Sequence, residues 1–202
     1  MLESVRSLAG FELRPQYLDD FWPHFQQIDD VLWELERIQD FREPEEPSWV
    51  AMVAGDWDRA LDLIEDKRQE SLRLAERSHK FANRRLRIVE QPITPYLQWE
   101  MQILKIRFES GEQDIKVLDA QAIRDVERDG PLPELLVLGR AVMYEVLYDD
   151  TATLSGARRI DDPAVIRACR QELNRLFEKG ADLLVYFDRE IASMPPPEVP
   201  TG

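Results

Sequence analysis

The stretch from Arg84 to Asp119, RRLRIVEQPITPYLQWEMQILKIRFESGEQDIKVLD, most constrains what this chain can fold into. It reads as strand, turn, helix, glycine stop and strand. Side chains alternate between the faces of an extended segment, so Leu86, Ile88 and Glu90 point to one side and Arg87 and Val89 to the other. Thr94-Pro95 supplies a capping hydroxyl and a proline suited to a first helical turn, and Gly111 stops the helix. Two strands of one sheet joined through a helix form a parallel crossover, so the region predicts an α/β layer.

The flanking sequence extends this layer in both directions. Phe21, Trp22 and Phe25 sit at helical spacing with Leu18, although Pro23 interrupts the pattern unless it lies in a first turn. Val31, Trp33 and Leu35 alternate as in a strand, while Leu32, Leu35 and Ile38 also fit a helix; the strand is the preferred reading. The run Phe41 to Pro47 is a linker by its prolines and charge. Ser48 is placed to cap a short helix ending near Gly55, and Asp56 a longer one from Trp57 to about Lys80, with polar residues from Glu65 to Ser71. This helix pair resembles one tetratricopeptide unit, but an array needs about three.

Beyond the crossover, Asp119 to Arg128 reads as a polar helix. Leu135–Leu138, Val142–Tyr148 and Thr153–Ile160 read as three short strands, and Asp162-Pro163 opens a long helix carrying Ile166, Cys169, Leu173, Leu176 and Phe177. The expected architecture is α/β (α+β): a mainly helical amino-terminal part, residues 1–83, packed on a mixed sheet formed by residues 84–193. Residues 194–202, with four prolines from Met194 onward, are expected to be a disordered tail.

Charge restricts the partners. The 202 residues carry 26 basic and 40 acidic side chains, a net charge of −14, which opposes broad binding to nucleic acid or anionic membranes. No apolar run reaches the roughly 20 residues of a membrane span, and the amino terminus lacks a secretion-signal layout. Cys169 is the only cysteine, so no internal disulfide or cysteine-based zinc site is expected, and a cytoplasmic location follows. No cofactor or metal is expected; Asp149-Asp150 and Asp161-Asp162 fit turn chemistry at least as well as a hard cation.

Projecting the helix from Pro95 at 100° per residue places Gln98, Gln102, Lys105 and Glu109 on a narrow polar face. Tyr96, Trp99, Ile103 and Ile106 lie on one flank, and Leu97, Met101, Leu104 and Phe108 on the other. Glu100 and Arg107 fall between the flanks, on the inner side. A charge there must be paired or must meet a water-filled pocket, because burying it alone costs several kcal/mol. Arg85 and Arg87 on the preceding strand are its candidate partners. The candidate site is therefore Arg85, Arg87, Glu100 and Arg107. Its functional reading is a small anion or polar ligand held by the arginines, with Glu100 orienting a guanidinium or meeting a ligand amine; its structural reading is an ion pair bridging sheet and helices.

Arg85 and Arg87, Glu90 to Tyr96, Trp99-Glu100, Gly111-Glu112 and Asp114-Ile115 together resemble an uncharacterised actinobacterial domain-of-unknown-function family, often encoded beside helix-turn-helix regulators. Pro95 before Tyr96 and Gln113 before Asp114 depart from that pattern. The likeness spans about residues 20 to 180 and is weaker over Leu32 to Phe41. The latter half also resembles a phospholipase D-like half-domain of the kind found in non-catalytic sensor regions. Catalysis there needs a His-x-Lys pair, and His24 and His79 are followed two places later by Gln26 and Phe81, so the resemblance implies a layer lacking the catalytic motif. It further implies a protein partner, a helix-turn-helix regulator among the choices, with a homodimer also compatible. The implied function is a non-catalytic sensing or adaptor module acting with a DNA-binding transcriptional regulator. The alternatives are an enzyme acting on a small anionic substrate through Glu100 and the arginines, and a helical protein-interaction module presenting Trp49 to Lys80.

Overall fold

The computed structural model describes residues 1–8, 12–14, 17–77 and 81–199; His79 and the end of the helix expected to reach Lys80 lie outside them. After a 3-10 turn at Leu2–Ser7 come β1 (Glu12–Arg14), α1 (Leu18–Phe25), β2 (Val31–Glu36), α2 (Pro47–Val53), α3 (Trp57–Glu65) and α4 (Arg68–Arg77). The crossover follows as β3 (Ala82–Val89), α5 (Pro95–Glu109) and β4 (Asp114–Asp119). The chain continues through β5 (Glu134–Leu138), β6 (Val142–Tyr148), β7 (Leu154–Ile160), α6 (Pro163–Phe177), β8 (Ala181–Asp182) and α7 (Leu183–Glu190). Eight strands form one mixed sheet in the order β1-β7-β6-β5-β2-β3-β4-β8. β2, β3 and β4 are mutually parallel, and the remaining pairings are antiparallel. The α/β class and the parallel crossover are as the sequence predicts.

Residues 1–83 supply four helices and also β1 and β2, and β2 lies in the middle of the sheet between β3 and β5. The helix expected from Trp57 breaks between Glu65 and Arg68. Ala60 and Ile64 are buried, but the next positions on that stripe are Lys67 and Arg68, which offer no apolar surface to hold a continuous helix against the core. Asp56 caps α3 as expected, whereas α2 is capped by Glu46, whose carboxylate accepts from Ser48 N. The polar helix expected at Asp119–Arg128 is a 3-10 turn at Ala120–Ile123. Ala120, Ile123 and Val126, all buried, recur every third residue, the period of a 3-10 winding.

The two faces of the central strands differ in chemistry. Trp33, Leu35, Leu86, Ile88, Leu135, Val137 and Met143 face α6 and pack on Ile166, Cys169, Leu173, Leu176 and Phe177. Each large apolar side chain fully buried in this layer contributes roughly 1.5–3 kcal/mol. On the other face α5 is covered on both flanks: Leu97, Met101 and Leu104 join β4 and α7, while Tyr96, Trp99 and Ile106 join α2 and α3. Gln98, predicted to face solvent, is buried instead, because the last described residues run against α5 and Gln98 Nε2 donates to the Pro195 carbonyl at 2.7 Å. Met194 and Val199 pack on the neighbouring apolar clusters, so residues 194–199 are held against the helix rather than trailing from it.

Candidate functional site

The strand alternation that turns Trp33 and Leu35 toward α6 turns Glu34 and Glu36 toward α5, and parallel pairing sets Glu34 beside Arg85 and Glu36 beside Arg87. Thr94 fixes the start of α5, its hydroxyl oxygen accepting from Leu97 N at 3.1 Å, and this phase brings Glu100 down onto the arginines. Arg85 donates to Glu34 and Glu36, each at 2.5 Å, and to Gln113 at 3.1 Å. Arg87, with no solvent exposure, donates through Nε to Glu100 at 2.8 Å and through Nη1 to the Ile88 carbonyl at 3.2 Å. Gln113 Nε2 closes the layer by donating to Glu34 at 2.7 Å.

Three of the four predicted residues, Arg85, Arg87 and Glu100, are thus brought together. Arg107 is not part of the sealed layer: it lies near the carboxyl end of α5 with its side chain 36% exposed, and Glu112 lies 3.8 Å away. Arg107 stands in the last turn of α5, two turns after Glu100, so an inner position on the projection becomes a rim position. Glu34 and Glu36 are site residues that sequence reasoning missed. The available signal was the alternation of β2, since a strand with Trp33 and Leu35 on one face must present Glu34 and Glu36 on the other.

A cavity of about 340 Å³ opens beside this layer, lined by Glu36, Glu43, Arg85, Glu100, Arg107 and Tyr148 among others. Burial pushes the Glu100 carboxyl up to about 7 against the pull of the Arg87 guanidinium. For Glu36 burial acts upward too, but Arg85 and Arg87 outweigh it and hold the group below its ordinary range. Glu43 is raised by burial and accepts from the Tyr96 hydroxyl at 2.6 Å. Two buried atoms of the layer have no hydrogen-bond partner among the described residues, Arg87 Nη2 and Glu36 Oε2. Such atoms cost roughly 1–3 kcal/mol each when left unsatisfied, so the layer has polar capacity that the protein itself does not use.

Other sequence candidates have structural occupations. Arg158 donates to Glu145 and to the Val5 carbonyl, and Arg159 lies 3.5 Å from Asp20. Asp149 accepts from Thr151 N and Thr153 N, and Asp162 caps α6. Among the described residues no group of histidine, cysteine, aspartate and glutamate side chains has metal-binding geometry, and no helix is long and apolar enough to cross a membrane.

Among solved structures, one similar chain is TrmBL2, an archaeal chromatin protein whose structure is described as showing a novel mode of DNA binding. The identity is 12% and the TM-score 0.40, over 89% of this chain and 57% of that one, so the present chain spans little more than half its length. No curated protein sequence matches. The family model for DUF6879, a domain of unknown function, matches residues 19–188, a span that contains β2 to β8 and the whole ion-pair layer. The chain belongs to the DUF6879 family.

Proposed function

We propose that this protein is a non-catalytic sensing module that binds a small polar molecule in the cavity between α5 and the sheet. The observation that carries the reading is that a 340 Å³ space meets Glu36, Glu100 and Arg107 at the edge of a prearranged charge layer. Arg85 and Arg87 are neutralised by Glu34, Glu36 and Glu100, so they cannot hold an anion unaided. Arg107 has spare donors, and Glu36 Oε2 is a spare acceptor. A ligand with an anionic end for Arg107 and a donor end for Glu36, such as an amino acid or amino-sugar acid, matches both. Glu100 orients Arg87 through Oε2.

The reading places this module in the cytoplasm beside a protein partner, a DNA-binding transcriptional regulator. The net charge of −14 suits a basic protein surface rather than DNA. It also takes β5, β6 and the Asp162-capped α6 as a phospholipase D-like layer without catalytic residues; the support is their order and the lack of a His-x-Lys pair in the sequence.

A thermal-shift screen of amino acids and small carboxylic acids, followed by titration calorimetry of the hits, tests the site. Arg107→Ala, a change at a half-exposed position, is expected to weaken binding by about tenfold or more, a loss of at least 1.4 kcal/mol. A screen with no stabilising compound, or a hit that Arg107→Ala leaves unchanged, refutes the reading. Nanomolar DNA binding by the isolated chain in a mobility-shift assay at physiological salt would refute the division of labour with a separate DNA-binding partner.

A further inference from the structure

The opposite face of the sheet holds a second and larger cavity, about 610 Å³, where α6 crosses β2 and β3. Its charged lining residues among those described are all arginines: Arg84, Arg140, Arg167 and Arg170. In a chain with 40 acidic and 26 basic side chains, four guanidinium groups around one space run against the overall balance.

Nearby acids neutralise them only in part. Asp30 is shared, accepting from Arg170 at 2.5 Å and from Arg140 at 3.2 Å, and Asp114 stands 3.7 Å from Arg84 Nε. The Arg167 side chain makes no ion pair or hydrogen bond among the described residues. Four guanidiniums against two carboxylates leave the cavity cationic.

Arg84 is also held in place before any ligand arrives. Its guanidinium carbon lies 5.3 Å from the Trp33 ring centroid and 5.2 Å from that of Phe177, and Nη1 donates to Asn174 at 3.3 Å. Its Nε is buried without a hydrogen-bond partner among the described residues. A fixed guanidinium loses less freedom on binding an anion than one free in solvent. The rest of the wall combines the apolar Val31, Trp33, Pro163 and Ile166 with the amides of Gln171 and Asn174.

We infer that this cavity binds a small organic phosphate with a flat aromatic body, of the nucleoside diphosphate class. Several converging guanidiniums suit the paired oxygens and multiple charge of phosphate better than a single carboxylate. The volume leaves room for a body that inorganic phosphate lacks, with Trp33 and Ile166 for its flat face and the Gln171 and Asn174 amides for its polar edge. The site is separate from the cavity beside α5, so each can fail without the other.

The test is titration calorimetry on the full chain with ADP, ribose 5-phosphate and inorganic pyrophosphate at roughly 0.15 M salt. ADP is expected to bind with a micromolar Kd, about tenfold tighter than either comparison compound. Arg167→Glu, at an exposed position, should weaken ADP about tenfold or more, while the exposed Arg128→Glu elsewhere on the chain leaves it unchanged. The inference is overturned if ADP does not bind, if pyrophosphate or ribose 5-phosphate binds equally tightly, if Arg167→Glu has no effect, or if Arg128→Glu weakens binding as much.

Discussion

Breaking the Arg87–Glu100 pair from its two ends should give unequal penalties, because only one partner can shed its charge. Glu100→Leu removes the acceptor of Arg87 Nε and leaves a guanidinium with no solvent exposure. Arginine stays protonated at any accessible pH, and its nearest other carboxylate oxygen, Glu36 Oε2, is 3.9 Å from Nε. The penalty should be about 3–5 kcal/mol, the range for a buried charge deprived of its partner. Arg87→Met leaves Glu100 buried instead, but that carboxyl is already raised to about 7 and can take a proton. Neutralisation caps the penalty at roughly 1.4 kcal/mol per unit by which the working pH exceeds the ordinary carboxylate pKa, so the loss should be at most about 3 kcal/mol at neutral pH and smaller near pH 5.5. The double variant Arg87→Met/Glu100→Leu should recover most of the stability, since apolar replacements of buried pairs are often neutral or better. Urea denaturation followed by tryptophan fluorescence reads all three, Trp99 being buried beside Glu100. An Arg87→Met penalty equal to that of Glu100→Leu at pH 5.5, or a double variant no better than the worse single, would refute the argument.

Two further outcomes follow from particular contacts. Burial raises both Glu100 and Glu134 to about 7, so between the ordinary carboxylate range and pH 7 the folded state holds protons that the unfolded state has lost. Their contribution to stability therefore declines as pH rises through that window, by roughly 1–2 kcal/mol per group between about pH 5.5 and 7.5. Glu134→Gln should remove about half of that slope in thermal melts, and a slope unchanged by the substitution would contradict it. Gly180→Ala should cost about 1–3 kcal/mol by overpacking, because a β-carbon there would lie 2.8 Å from Lys116 Cβ on β4; a urea midpoint equal to that of the parent chain would show that β8 yields without strain.

The crossover, the meander and the start of α6 were legible because each signal was local: Thr94-Pro95 and Gly111 bound α5, Asp162-Pro163 opens α6, and the three strands of the meander are separated by turn residues, whereas β8 was not foreseen. The two flanks of α5 were legible for the same reason, since a 3.6-residue period needs no knowledge of the neighbours. Other features depended on long-range partners. Gln98 is buried by a segment almost a hundred residues away, and the pairing of Glu34 with Arg85 requires knowing that β2 inserts beside β3 despite three intervening helices. A carboxylate's role in such a layer is fixed by strand order, and strand order is the least local property of a sheet.

That insertion explains how one pair of strands serves two unlike environments. In the parallel register Trp33 pairs with Arg84 and Glu34 with Arg85, and the side-chain alternation sends each successive pair to opposite faces. Trp33 and Arg84 wall the arginine-rich cavity under α6, while Arg85, bonded to Glu34, lines the cavity beside α5. A one-residue slip of β2 against β3 would exchange these environments, setting glutamates under α6 and an indole among the charges. Such a slip is therefore opposed from both sides, by burial of Trp33 and Leu35 in the apolar core and by the ion pairs of Glu34 and Glu36. Neither cavity can be rebuilt by shifting a strand, whereas Arg107, Arg140 and Arg167 stand at the rims, outside this register.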